Sequence, residues 1–191
     1  MKTAIFIDGG NLYSKLKELG IEDTSKFDYR GLIKSVSKTK KPNYIGYYVG
    51  QIRREKGNKK SEKLYTGQQK LFAHLKTNFP NIVIVRGHIQ NFEGKYTEKG
   101  VDVRLALDIY KLAVEGLYHK AIVISSDTDL LPAIKMVQAL GKEVEYIGFS
   151  HNPSLALVKE CKGKRLLGKR DVSRFEYRKK PERKPRKKYI Y

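Results

Sequence analysis

Short apolar runs closed by small or polar residues recur along the first 150 residues. They predict strands at Ala4–Asp8, Tyr44–Gly50, Ile82–His88, Ala121–Ser125 and Val144–Phe149. Between them, apolar residues return at helical spacing. Leu12, Leu16 and Leu19 share one face, as do Leu64, Leu71, Phe72 and Leu75. Val101, Leu105, Ile109 and Leu112 form the next stripe. Leu130, Ile134, Val137 and Leu140 form another, which stops at Gly141 as helices often do. A shorter helix is expected over Pro153–Cys161, capped by Ser150 or Asn152, and Asn11 is expected to cap the first helix. Strands alternating with helices indicate an α/β sandwich around a mainly parallel sheet.

The pattern breaks near Lys162. From there to the end, fourteen Lys/Arg stand against three acids, so this segment holds +11 of the chain's net +20. A compact domain is therefore expected over residues 1–161 and a basic C-terminal extension over 162–191. That extension could add a strand around Val172–Phe175 and is expected to be disordered from about 178, where almost nothing apolar remains. A net charge of +20 in 191 residues says little about fold, but it favours polyanionic partners, nucleic acid first. With Cys161 as the single cysteine, neither an internal disulfide nor a cysteine zinc site can form. The apolar stretch of "MKTAIFIDGG" is too short for a signal peptide, and no run reaches the roughly 18 apolar residues of a membrane span. A cytoplasmic setting without membrane contact is expected.

Three acidic motifs end or open these elements. "FIDGGN" closes the first strand on Asp8, "EKGVDVRLALD" opens a helix with Asp102, and "IVISSDTDL" closes the fourth strand on Asp127 and Asp129. In a parallel sheet all carboxyl ends lie along one edge. If the chain winds outward from strand one and then crosses back, strands one and four are neighbours at the switch point where such sheets bind ligands. The four aspartates then converge, and converging carboxylates need a cation. Each has an ordinary structural alternative, as a helix cap or as a favourable charge near a helix N-terminus. Asp108 lies about 9 Å further along the helix and is turned away, with Arg104 one turn earlier as an ion-pair partner, so it is at most a supporting residue.

An all-carboxylate ligand set suits Mg²⁺ or Mn²⁺. His74, His88, His119 and His151 are scattered without zinc spacing, and neither a G-x-G-x-x-G nor a GxxxxGK[ST] loop occurs. "QIRREKGNKKSEK", with six Lys/Arg against two acids, leaves strand two at the same edge. It makes Arg53 and Arg54 candidate phosphate contacts, as is Lys99, three residues before Asp102. Tyr13 is a weaker candidate for base stacking.

"FIDGGNLY", "EKGVDVRLALDIYKLA" and "AIVISSDTDLLPAIKMVQALGKEVEYIG" together resemble, in order and spacing, the NYN domains, the LabA-like branch of the PIN-like ribonuclease superfamily. The similarity covers about residues 2 to 161. The resemblance implies a Rossmann-like three-layer sandwich with a five-stranded sheet of order 3-2-1-4-5. It also implies a metal-dependent ribonuclease, an endonuclease, with Mg²⁺ or Mn²⁺ held by Asp8, Asp102, Asp127 and Asp129. Asn11, Lys99, Ser126, Arg53 and Arg54 are the candidate substrate contacts, and Asp108 matches a frequent further acid. RNA, single-stranded or structured, is the expected partner, with DNA the other nucleic acid to test; homo-oligomer formation is left open. A non-catalytic RNA-binding or regulatory module is the competing reading. A phosphatase is disfavoured, because Gly10 stands where a D-x-D pattern would place the second acid.

Overall fold

The computed structural model describes residues 1–37, 41–92 and 95–177, with backbone alone for 88–92 and 95–98. A single sheet runs through it. Its strands are β1 (Thr3–Asp8), β2 (Tyr44–Gln51), β3 (Val83–Phe92), β4 (Lys95–Lys99), β5 (Lys120–Ile124), β6 (Glu143–Phe149) and β7 (Gly163–Leu167). The spatial order is β4-β3-β2-β1-β5-β6-β7, parallel throughout except for the antiparallel β3–β4 pair. The expected five-strand order forms the middle of this sheet, and one strand is added at each margin. Both additions, "KYTEK" and "GKRLL", are polar edge strands whose pattern carries little period-two signal.

Among the described residues, seven α-helices flank the sheet: α1 (Gly9–Glu18), α2 (Tyr29–Ser37), α3 (Lys59–Asn78), α4 (Val101–Val114), α5 (Leu131–Ala139), α6 (Leu155–Glu160) and α7 (Lys169–Ser173). Side chains alternate across the strands and so build two cores. Ile5 and Ile7 face one way, toward Leu12 and Leu16 of α1, Leu32 and Ile33 of α2, Leu75 of α3 and Val172 of α7. Ala4 and Phe6 face the other way, toward Leu105 and Ile109 of α4, Ile134 and Val137 of α5 and Leu157 of α6. This is a three-layer α/β sandwich.

Four local expectations need correction. α2 was not expected; Tyr29, Leu32, Ile33 and Val36 bury a full face of it, but its short "DYRGLIKSVS" stretch lacks a long stripe. The first helix is capped by Asp8, not Asn11, because the Asp8 carboxylate accepts the Asn11 backbone N–H at 2.9 Å. The sixth helix is capped by Ser154, not Ser150 or Asn152. Val172–Phe175 is no strand: α7 occupies Lys169–Ser173, Val172 is buried, and Phe175 meets Phe27 edge-on at 6.2 Å. The sheet itself continues past residue 161, since β7 pairs with β6 from Glu145↔Gly163 to Phe149↔Leu167. The expected disorder from 178 lies outside the described residues. Among the described residues, no helix is long and apolar enough to cross a membrane.

Candidate metal centre

Register explains why the first acid meets the third motif. β1 and β5 pair in parallel up to Ile7↔Ile124, so Asp8 comes to lie beside Ser125. Gly9 allows the turn into α1: a Cβ there would stand 2.5 Å from the Tyr47 ring and 2.8 Å from the Tyr48 carbonyl oxygen. A larger residue would push α1, and the cap carboxylate with it, off the sheet.

Asp8 is 5% exposed, and both of its carboxylate oxygens are engaged. Oδ1 accepts the Asn11 N–H, and Oδ2 accepts the Ser125 hydroxyl at 2.7 Å. Ser125 Oγ in turn accepts the Asp127 N–H at 3.1 Å, which ties two acids through one buried hydroxyl. Asp127 caps the short 3-10 turn Thr128–Leu130 by accepting the Asp129 N–H at 2.9 Å. Pro132 then sits in the first turn of α5, where its missing N–H is harmless. Across the crevice, Asn11 Oδ1 accepts the Ser126 N–H at 3.0 Å and pins α1 to the loop after β5.

Asp102 arrives from a third direction. Gly100, at φ 78°, precedes α4 in the left-handed region that favours glycine. Gly87 on β3 leaves room for Val101, whose side chain would lie 2.1 Å from a Cβ there. This close approach docks the first turn of α4 against the sheet, with Asp102 exposed at the carboxyl edge.

Carboxylate oxygens of Asp8, Asp102 and Asp127 lie within 4.8 Å of one another. Burial is the main cause that raises the proton affinity of Asp8; the charges of Asp102 and Asp127 add to it, and the Asn11 and Ser125 hydrogen bonds oppose it. Asp102 is raised for the same reasons, by desolvation first and then by Asp127 and Asp129. Asp129 is exposed and outside this tight group, although its charge reaches Asp102. Repelling carboxylates held this close favour protons or a cation between them. All donors are hard oxygens, which fits a hard divalent cation.

The other candidate residues fall as follows. Asp108 is buried, with its carboxylate turned to the buried Tyr48 hydroxyl at 3.1 Å and to Nε of the exposed Arg104 at 3.1 Å, so its contacts are those of a structural acid. Lys99 is exposed at the end of β4. Arg53 and Arg54 are exposed on the loop after β2, where Arg54 pairs with Glu62 at 3.1 Å. That loop is built rather than loose. Buried Ser61 donates to the Arg53 carbonyl and accepts the Glu55 N–H, while Gln68 bridges the Ile52 N–H and the Gly50 carbonyl. Tyr13 is half-exposed on α1, with Lys17 Nζ 6.0 Å from its ring centre. Ser125 is the residue that sequence reasoning passed over. Its signal was present, as a hydroxyl at the very end of an apolar strand beside an expected acid.

A cavity of about 640 Å³ opens at the opposite edge of the sheet, at the amino ends of β5, β6 and β7. Its charges are matched, with Lys120 and Glu145 2.5 Å apart, so it offers no unbalanced acid cluster.

The model of the NYN domain family matches residues 2–165. A solved structure of a protein of unknown function, VPA0982 from Vibrio parahaemolyticus RIMD 2210633, shares the fold with a TM-score of 0.64 at 20% identity. The alignment covers 87% of this chain and 92% of that one. A stretch of 76 residues is 33% identical to 6-hydroxy-3-succinoylpyridine 3-monooxygenase HspA of Pseudomonas putida, which covers 37% of this chain. The chain spans only 24% of that relative's length, and the named activity is that of the whole relative.

Proposed function

The chain belongs to the NYN domain family, a PIN-like ribonuclease family, and we propose that it is a metal-dependent endoribonuclease acting at the Asp8–Asp102–Asp127 cluster. The observation that carries this reading is the convergence of three carboxylates from three separate elements on one sheet edge. A structural acid needs one cap or one ion pair; among the described residues Asp102 pairs with no Lys or Arg and accepts only its own backbone N–H, and a cluster this tight costs free energy until a cation joins it.

A divalent ion bound there supplies Lewis acidity toward a phosphodiester oxygen and lowers the pKa of water. The chain's own residues set the geometry. Asp8, fixed by Ser125 and the Asn11 N–H, presents a rigid carboxylate from below. Asp127, held on its own tight turn, faces it from the loop after β5, and Asp102 closes the third side from α4. Asp129 at the exposed rim orients water. Lys99, Arg53 and Arg54 take flanking phosphates, and Asn11 and Ser126, locked together, line the floor of the crevice. The Arg54–Glu62 pair is exposed and therefore weak, so a phosphate displaces Glu62 at little cost.

The test is direct. Purified protein is incubated with end-labelled single-stranded RNA, hairpin RNA and DNA, in Mg²⁺, Mn²⁺ or chelator. Internal cleavage of RNA that chelator stops and Asp8→Asn abolishes is expected. RNA retention without cleavage under every metal condition would replace this reading with that of a binding module.

A further inference from the structure

The two helical layers differ in chemistry. Helices α1, α2 and α3 carry nine Lys/Arg against Glu18 and Glu62, a net +7. Helices α4 and α5 carry three, Arg104, Lys111 and Lys135, against Asp102 and Asp108, a net +1. The neutral layer is also where large apolar side chains stand open. Val103, Leu107 and Val114 on α4 are 65%, 59% and 60% exposed, and Met136 and Leu140 beside α5 are 48% and 46% exposed.

These positions lie on two helices that pack against each other. On α4 they lie opposite the buried stripe of Leu105 and Ile109, separated from it by about half a helical turn. On α5, Gln138 and Lys135 mark the side that faces α6, through their contacts to the Glu160 carbonyl and carboxylate. Met136 and Leu140 fall on the other side of α5, toward α4. Partly buried Ala106 and Tyr110, on the same helix as Leu107, pack against the core beneath this face.

We propose that the α4/α5 face is a homodimer interface, covered in solution by a second copy of this chain packed about a two-fold axis near Leu107 and Tyr110. The area fits. At their fractional exposures the five side chains leave roughly 500 Å² of apolar surface open. A standard interface buries about 800 Å² per partner, roughly 60% of it apolar, which asks for the same amount. The charge fits as well. Two copies at +20 repel through any basic surface, and α4/α5 is a face on which they approach without opposing like charge. Self-complementarity follows from the stripe: in an antiparallel pair of α4 helices, Val103 of one copy reaches Val114 of the other. Nucleic acid is a poor occupant for a face with net +1. So is residues 178–191, a segment with eight Lys/Arg and apolar residues only at its last three positions.

Sedimentation equilibrium of the full chain over a hundredfold concentration range tests this. A mass of twice 22.0 kDa at tens of micromolar is expected. Leu107→Lys, and separately the Val103→Lys/Val114→Lys double variant, should weaken association at least tenfold with unchanged circular dichroism and melting. Leu64→Lys, on α3 of the opposite layer, should leave association as in the parent. Raising the salt from 0.05 to 0.5 M should tighten the dimer, because it screens the repulsion between copies. A monomeric parent, a dimer indifferent to Leu107→Lys, or one that dissolves in salt would each overturn the proposal, the last pointing to a contact made by the basic tail.

Discussion

The Ser125 hydroxyl donates to Asp8 Oδ2 over 2.7 Å while accepting the Asp127 N–H, so one buried hydroxyl holds two acids that lie 119 residues apart. Burial raises the Asp8 proton affinity, and this bond opposes the rise. Ser125→Ala should raise it further and cost about 1–3 kcal/mol for the unpaired groups. Ser125→Thr keeps the hydroxyl and should recover most of the loss. Thermal melts together with Mn²⁺ titrations of the three proteins check this; equal metal affinity in the Ala variant would show that Ser125 does not position Asp8.

Asp127 combines a cap with a charge, and two substitutions separate them. Asp127→Asn keeps an oxygen to accept the Asp129 N–H and removes one repelling charge, so the metal-free protein should melt at or slightly above the parent. Asp127→Ala loses the cap and should cost about 1 kcal/mol. Both should lose cleavage. Metal-free denaturation curves decide; an Asn variant that melts far below the parent would make Asp127 purely structural.

The pH dependence has a definite sign. Asp8 and Asp102 hold protons more tightly in the folded protein than in the unfolded chain. Their contribution to metal-free stability is therefore full below the ordinary carboxylate range and is lost as pH rises through the raised native values. Relative to Asp8→Asn, the parent should weaken on going from pH 4 toward neutrality. Stabilisation by Mg²⁺ should run the other way, growing with pH as protons leave the ligands. A parent–variant difference in melting temperature that stays flat over this range would refute the first half.

Asp108 should behave as a core residue. Asp108→Ala takes the acceptor from the buried Tyr48 hydroxyl, leaving it only Tyr44 at 2.9 Å, and should destabilise the fold by about 1–3 kcal/mol. Mn²⁺ affinity measured well below the melting temperature should match the parent. A selective loss of metal binding would place Asp108 in the site.

The basic tail is expected to add phosphate contacts without entering the chemistry. Truncation after Tyr177 removes eight Lys/Arg and Glu182, a net +7. Affinity for a long RNA should fall, and the slope of log affinity against log salt should flatten by up to about 0.7 per lost contact. Cleavage of a saturating short oligonucleotide should stay within a few-fold of the parent, since uniform binding leaves the chemical step alone. An unchanged salt slope would assign the tail to solubility.

Hydrophobic periodicity along the chain determined the five central strands, the long helices and the alternation that makes the sheet parallel. The reason is that buried strands and amphipathic helices write their burial directly into residue order. Asp8, Asp102 and Asp127 were legible because each ends or opens such an element, and the carboxyl ends of parallel strands share an edge. Tertiary structure decided the rest. The polar edge strands β4 and β7 are held by pairing with a neighbour, which leaves no period in their own residues. Asp8 rather than Asn11 became the cap because the β1–β5 register turns Asn11 to the Ser126 N–H. Ser125 gained its role, and Asp129 its place at the rim, only when that register set one acid opposite the other, a distance that no local pattern encodes.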